Sequence, residues 1–505
     1  MSPANPNRFL QAHDRPRVAV FTSARFPAEH EQALLQRLLQ LADEEQLDLR
    51  FFHSSVSDDL PATPALEELL QRSMLAPCNT PWNEADMAWF EAQHPEAVQT
   101  IFSTIAAHAG ISVEEARAHP PIAAAFTMAR LARAWDADLA ISHGHFESGA
   151  AASICRALLG IGRAHVVRNL PSDALLARLW PWNAAQSQLL MFGPDAAPLA
   201  ARSGELAPDA ATCDLDHENV RRELRALLRD KRGEGRADRR PAGFGGESPK
   251  EPTSCGVARP FVVIGAERTG SNMLVGMLES HPEITSYGEL FNRRLIGEDV
   301  LDGVPEDYDT EHLLALRQRD QAAFYEELVR LAAERGARSV GFKLLYYHAC
   351  VHGGLVEHLT SISNLHVIHL RRRDRLGRWV SHKRAAESDS WFTNQSTPRS
   401  ERPTQTARLG VGETLGDFLQ QAQQEERADA TFGHLPLMQV YYEDLTERPG
   451  DVTADVLAFL GAAPHDLQIR SRKTGRSDPR ELIENWHELG PALRRTPWRA
   501  LAEPR

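Results

Sequence analysis

Apolar and polar positions alternate along this chain in two stretches of strand–helix–strand grammar, separated by a polar tract. In the first stretch, residues 17–22 form a short apolar run of buried-strand type. Between Glu31 and Leu41, apolar side chains recur at Leu34, Leu35, Leu38, Leu39 and Leu41, which is the stripe of one helix face. Residues 47–52 read as a second strand. Strand, helix, strand in that order favours parallel pairing. Further on, 122–135 read as a helix and 137–142 as a strand, followed by a loop carrying His143 and His145. A helix of small residues over 149–159 and a strand over 164–167 close the stretch.

The polar tract follows a charged helix expected over 214–230. Residues 231–246 are rich in glycine, proline and charge and poor in apolar side chains, so they cannot bury a core. They read as a flexible connector that continues to residue 256.

In the second stretch, the apolar run Phe261 to Ile264 ends at Gly265, and a helix with Leu274, Met277 and Leu278 on one face opens near Asn272. Strands are expected over 284–287, 339–345, 365–370 and 437–442. Helices are expected over 376–386 and 451–460, the latter closed by Gly461. Charged residues gather at the strand ends, which predicts a doubly wound sheet with its site at the carboxyl edge. The fold class is therefore α/β, with two domains: an N-terminal Rossmann-like parallel sheet and a C-terminal P-loop-like doubly wound sheet. The expected boundaries are 1–212, a helix and linker over 213–256, and 257–505.

Composition narrows the partners. A length of 505 residues suggests two to four domains at roughly 100–200 residues each. With 42% hydrophobic residues the chain can bury a sizeable core. A net charge of -13 argues against a general nucleic-acid surface, so any anion site must be a local basic pocket. The five cysteines are scattered and form no C-x-x-C, which argues against a disulfide framework or a zinc site. The opening residues lack an apolar signal core, and no run approaches the ~18 apolar residues of a membrane span. A cytoplasmic location without a transmembrane segment is the expectation; oligomeric state is not readable.

The chemistry centres on the turn after Ile264. Gly265 and Gly270 have the spacing of a Walker A loop, but Ser271 stands where that loop has its lysine. The fixed charge is Arg268, inside the loop. Loop amides and a helix N-terminus still suit an anion. A second anion site is suggested by Arg373, just past a strand end, and Ser381 on the following helix; an arginine fork and a hydroxyl suit a terminal phosphate. Two phosphate sites and no Walker lysine point to a nucleotide phosphorylated at two distant positions.

On these residues the second stretch resembles the sulfotransferases that use 3′-phosphoadenosine 5′-phosphosulfate, especially the bacterial carbohydrate and lipid group that includes trehalose-glycolipid and nodulation-factor sulfotransferases. The residues that carry the resemblance are Arg268 to Asn272, His281-Pro282, Gly288 to Phe291, Gly341-Phe342-Lys343, Arg373-Asp374 with Ser381, and Tyr442 to Leu445. Asn272 departs from the usual Ser/Thr. The resemblance implies sulfuryl transfer from that donor to a hydroxyl of a carbohydrate or glycolipid, with no metal and no nucleic acid. It implies that Arg268, Thr269, Gly270, Ser271 and Asn272 bind the donor's 5′ end and that Arg373 and Ser381 bind its 3′-phosphate, with Arg372 a further candidate. Glu289 would be the general base, Lys343 would serve the bridging oxygen or orient Glu289, and Arg268 would add catalytic charge. A phosphate-loop kinase and a non-catalytic glycan-binding or scaffold protein are the alternatives. The acceptor loop is expected within 388–414, and the basic turn 472–476 is a candidate to close over the nucleotide.

Over roughly residues 15–205 the first stretch resembles the acceptor-side half of GT-B glycosyltransferases of family four. Phe26-Pro27, Asp138, the loop of His143, Gly144, His145 and Phe146, and Leu159-Gly160-Ile161 carry this resemblance, and Gly162 departs from it. It implies that His143 and His145 lie near a ligand. No second half remains to hold a sugar nucleotide, so this domain is not expected to transfer sugars.

Overall fold

Two parallel sheets organise the computed structural model. It describes residues 15–22, 25–78, 80–143, 146–167, 187–192, 211–214, 217–232, 258–292, 304, 308–351, 353–388, 406–469 and 478–503. The expected loop residue His145, the connector 233–256, the basic turn 472–476 and most of the expected acceptor loop lie outside these residues. By contact the chain forms two compact units. The first gathers Met1–Pro241, Gly410–Gln420 and Glu488–Arg505; the second gathers Ala242–Leu409 and Gln421–His487.

The first unit contains β1 (Arg17–Phe21), α1 (Gln32–Glu44), β2 (Asp48–His53), β3 (Ser73–Leu75), β4 (Leu139–His143), α2 (Phe146–Leu159), β5 (Gly162–Val167), β6 (Leu189–Phe192) and β7 (Ala211–Asp214). Their order across the sheet is β3-β2-β1-β4-β5-β6-β7, and all pairs are parallel. Strand alternation sorts the side chains onto two covered faces. Val18, Val20, Leu49, Phe51, Leu139 and Ile141 join the leucines of α1 on one face. Ala19, Phe21, Phe52 and Ala140 join Ile154 and Cys155 of α2 on the other. The expected strands and helices of this stretch are present, with ends moved by one to three residues. The strands β3, β6 and β7 are not legible in the sequence pattern, because three or four residues are too few to show a period. The charged helix begins at His217 rather than Asp214, which closes β7.

The second unit contains β8 (Arg259–Gly265), α3 (Ser271–Leu278), β9 (Ile284–Tyr287), β10 (Ser339–Leu345), β11 (His366–Arg371), α4 (Arg375–Ser388), α5 (Val411–Phe432), of which only the part from Gln421 groups here, β12 (Leu437–Tyr441) and α6 (Pro449–Leu460). The sheet order is β9-β10-β8-β11-β12, again parallel throughout. Central β8 is apolar on both faces. Val262 and Ile264 pack into one core with Phe342 and Leu328, while Phe261 and Val263 pack into the other with Leu274, Leu278 and Val456. Each such fully buried side chain contributes about 1.5–3 kcal/mol. The rigid sheet therefore fixes where the loop after Gly265 begins.

Candidate functional site

The loop between β8 and α3 is held by steric necessity and by short hydrogen bonds. Gly265 lies against the Leu370 carbonyl, where a Cβ would approach to 2.5 Å. Thr269 Oγ1 donates to the Ala266 carbonyl at 2.7 Å, closing the turn from inside. Gly270 has φ +88° and caps α3, and a Cβ there would lie 2.5 Å from the Tyr442 ring. Arg268 itself occupies the left-handed region at φ 64°, which costs a non-glycine residue about 1–2 kcal/mol. Left-handed residues at 268 and 270 flank Thr269 in a tight turn that leads into the N-terminus of α3, backbone of the kind that suits an anion.

The charge around that loop is cationic and desolvated. Arg268 Nε donates to Ser381 Oγ at 3.0 Å. Arg372 NH1 donates to the Arg268 carbonyl at 3.0 Å, and its guanidinium lies 4.5 Å from the Tyr442 ring. Burial first, then the proximity of the Arg372 charge, lowers the Arg268 pKa. Burial likewise lowers that of Arg372, with partial relief from Tyr442, Asp374 and Glu443. Two half-desolvated guanidinium groups side by side are a costly arrangement that an incoming anion would stabilise.

Beside the loop stands a buried ion pair. Lys343, from the middle of β10, places Nζ 2.6 Å from Glu289 Oε1 and also donates to Asn272 Oδ1. Asn292 Nδ2 donates to the second carboxylate oxygen at 2.6 Å, and His348 Nε2 is 3.9 Å from it. Burial alone would raise the Glu289 pKa; the Lys343 charge and hydrogen bond outweigh it and hold the carboxyl below its ordinary range. Burial lowers the Lys343 pKa against the opposing pull of Glu289. Asn272 thus has a role its difference from Ser/Thr did not suggest: its carboxamide fastens the lysine to the first turn of α3.

Three successive arginines at the end of β11 diverge. Arg371 pairs with Asp429, Arg372 turns to the loop, and Arg373 forks onto Asp444 at 3.0 and 2.7 Å while lying 3.9 Å from the Tyr441 ring. Glu443 accepts from the amides of Arg373 at 3.1 Å and Asp374 at 3.0 Å, pinning the strand end. Arg268 and Ser381 are therefore together, as are Glu289, Lys343 and Asn272. The Arg373 side chain is half exposed on Asp444, and the Ser381 hydroxyl is engaged by Arg268 instead. Tyr442, which both blocks a side chain at Gly270 and backs Arg372, could have been suspected from its place in the segment Tyr442 to Leu445. His348 and Asn292 had no signal beyond proximity to Glu289 in the fold. Among the described residues, no group of three or more His, Cys, Asp or Glu side chains is placed to hold a metal ion.

A parallel sheet with a glycine-framed loop after its central strand and a Lys–Glu pair beside it is an arrangement of the phosphate-loop kind. Residues 260–466 match the model of the sulfotransferase family. Nodulation protein H of Rhizobium tropici is 31% identical over 239 residues, covering 46% of this chain and 87% of that protein. Nodulation protein H of Rhizobium meliloti (strain 1021) is 25% identical over 241 residues, covering 46% and 90%. This chain belongs to the sulfotransferase family. Among solved structures, a sulfotransferase from Alicyclobacillus acidocaldarius is similar at 20% identity and TM-score 0.28, over 49% of this chain and 96% of that one. UDP-N-acetylglucosamine 2-epimerase from Rickettsia bellii is similar at 11% identity and TM-score 0.24, over 73% and 77%. No described helix is long and apolar enough to cross a membrane.

Proposed function

We propose that the chain is a sulfotransferase that takes the sulfuryl group from 3′-phosphoadenosine 5′-phosphosulfate and delivers it to a hydroxyl of a carbohydrate or glycolipid, in the cytoplasm. The observation that carries this reading is the Glu289–Lys343 pair at 2.6 Å, tied through Asn272 to the loop that holds Arg268. The donor supplies an activated sulfur on a phosphate leaving group. Arg268, with the amides of Thr269, Gly270, Ser271 and Asn272, neutralises the 5′ end, and Arg372 supports Arg268. Arg373 releases Asp444 to grip the 3′-phosphate, with Ser381 and the helix start beside it. Glu289 takes the proton of the acceptor hydroxyl as the new S–O bond forms. Lys343 meets the negative charge that develops on the bridging oxygen as the old S–O bond breaks. The acceptor class rests on the likeness of the Gly288 to Phe291 segment to the carbohydrate sulfotransferases.

The test uses the full chain with labelled donor and a panel of polysaccharides, glycolipids and small alcohols. Transfer to a sugar hydroxyl is expected, and Glu289→Gln should lower kcat by about 10²–10⁴-fold. Undiminished transfer in Glu289→Gln would remove the base. Tighter binding of ATP than of adenosine 3′,5′-bisphosphate would favour a kinase, and donor binding without transfer to any acceptor would favour a non-catalytic role.

A further inference from the structure

The segment that carries Glu289 leaves the edge strand of the second unit's sheet. β9 ends at Tyr287, and the chain turns at once. The Leu290 amide donates to the Gly288 carbonyl at 3.1 Å and the Asn292 amide to the Glu289 carbonyl at 3.0 Å. Backbone in such a turn has left the strand ladder, so its remaining carbonyls need donors from elsewhere. Two of them share one donor. Arg317 Nε donates to the Leu290 carbonyl at 2.8 Å, and Arg317 NH2 donates to the Asn292 carbonyl at 2.9 Å.

The sequence around Arg317 sets its reach. It lies in the last turn of the helix Thr310–Arg319, which Asp309 caps by accepting from the His312 amide at 2.9 Å. Leu313 and Leu316 of that helix are buried in one cluster with Leu290, Phe291 and Phe324, so the helix cannot slide along the segment without breaking close packing. With the helix fixed, the fork spans Phe291 and ties the residue on either side of it. A guanidinium suits this task, because it is planar, always charged and carries its donors at fixed angles. Burial lowers the Arg317 pKa, and among the described residues no carboxylate offsets it. A cation desolvated for two main-chain carbonyls, with no acid to compensate it, points to a task in the segment it holds.

That task concerns Glu289. Asn292 Nδ2 donates to Glu289 Oε2 at 2.6 Å, and the carbonyl of the same Asn292 is one end of the Arg317 fork. Asn292 therefore links guanidinium to carboxylate through its own backbone and side chain. The charged and titratable groups that face the carboxylate are Lys343 of β10 and His348 of the helix Tyr346–Val351. Arg317 is not one of them, so it works through Asn292 and not through its own charge. We propose that Arg317 is a positioning residue for the general base: its fork on the Leu290 and Asn292 carbonyls fixes the orientation of the Glu289 carboxylate toward the acceptor hydroxyl. The role of Glu289 as base rests on the sulfotransfer reading; the coupling of Arg317 to Glu289 rests on the hydrogen bonds alone.

The experiment is transfer from labelled donor by the native full chain, Arg317→Met, Asn292→Ala and the double variant, over a range of pH. Methionine keeps an apolar stem and removes the fork. Arg317→Met is expected to lower kcat by roughly 10–100-fold, the scale of a small misplacement of a reacting group. Acceptor KM and adenosine 3′,5′-bisphosphate affinity should change by less than about threefold, since the fork lies on main chain. The Asn292 hydrogen bond favours the charged carboxylate, so its loss raises the Glu289 pKa. The acid limb of the kcat profile should therefore move to higher pH, by about 0.5 or more. An arginine with a merely structural role would lower the thermal midpoint without moving that limb. Asn292→Ala should reproduce both effects, and the double variant should be no worse than the poorer single one, because the two residues act in series. Arg317→Lys, with one donor in place of a fork, should regain part of kcat. If the native chain transfers no sulfuryl group, the sulfotransfer reading fails. The coupling is then read from the carbon-13 titration of the Glu289 carboxyl, assigned with Glu289→Gln: an upward shift in Arg317→Met supports the fork, and an unchanged titration overturns it. Where the native chain is active, an unmoved acid limb with unchanged kcat, or losses that multiply in the double variant, overturns the proposal.

Discussion

The carboxyl edges of the two sheets make an instructive pair. Both sheets are parallel, both are covered on two faces, and both bury polar side chains just beyond the central strand. In the second unit the edge is cationic: Arg268, Lys343 and Arg372 crowd the loop after Gly265. In the first it carries one carboxylate and two imidazoles: His53 Nδ1 lies 3.0 Å from the Ser55 carbonyl, and His143 Nδ1 lies 2.9 Å from the buried Glu31 carboxylate. The sheet decides where a ligand can sit, and the residues at its rim decide the ligand's charge. The largest break in this comparison comes from distorting the loop. Gly270→Ala would drive a Cβ into the Tyr442 ring at 2.5 Å while holding a left-handed φ of +88°. A loss of at least 100-fold in adenosine 3′,5′-bisphosphate affinity is expected, with a stability cost of about 1–3 kcal/mol. Calorimetric titration and thermal unfolding measure the two.

Next in size is the Glu289–Lys343 ion pair of the second unit. Lys343→Met leaves the Glu289 carboxylate buried without its cation, which costs about 3–5 kcal/mol when a pair is fully desolvated. Glu289 keeps 17% of its side chain exposed and retains Asn292, so about 2–3 kcal/mol is the expected loss at neutral pH. The pH dependence has a definite sign. The folded-state pKa of Glu289 lies below its unfolded value of 4.5, so its contribution is present above that value and lost as pH falls through the folded one. Lys343→Met should therefore flatten the acid limb of a stability–pH curve. A limb unchanged from the wild type would mean that the pair does not couple.

The legible parts of this molecule were those written in local pattern. The frame of Gly265 and Gly270 and the apolar strands around it mark the loop, and Glu289 and Lys343 stand out in sequence as a carboxylate in the Gly288 to Phe291 segment and a lysine inside an apolar strand. Contacts that depend on where a strand end points were not legible. Three consecutive arginines look alike in sequence, yet Arg371, Arg372 and Arg373 go to Asp429, the loop and Asp444 respectively. His53, one histidine at the end of an apolar run, has no signature in sequence. The grouping of 410–420 and 488–505 with the first unit depends on contacts hundreds of residues apart, such as Arg499 to Glu67 at 2.7 Å and the Gly412 amide to Asp58 at 2.8 Å.

The smallest expected effect separates neighbours within the cationic edge. Arg372 is buried against the loop backbone, whereas Arg373 is half exposed and already satisfied by Asp444. An anion reaching Arg372 meets a charge with little solvent to screen it, and a charged hydrogen bond there is worth about 1.5–3 kcal/mol. An anion reaching Arg373 must first displace a carboxylate that holds the guanidinium by a bidentate fork, so much of its gain is offset. Arg372→Ala is expected to weaken adenosine 3′,5′-bisphosphate binding by roughly 10–100-fold and Arg373→Ala by less than about tenfold. Asp444→Asn, which loosens the fork, should strengthen binding slightly in the native chain and have no effect in Arg373→Ala. If Arg373→Ala proves the more damaging of the two, displacing Asp444 costs little, and the grip of Arg373 on the 3′-phosphate outweighs the buried charge of Arg372.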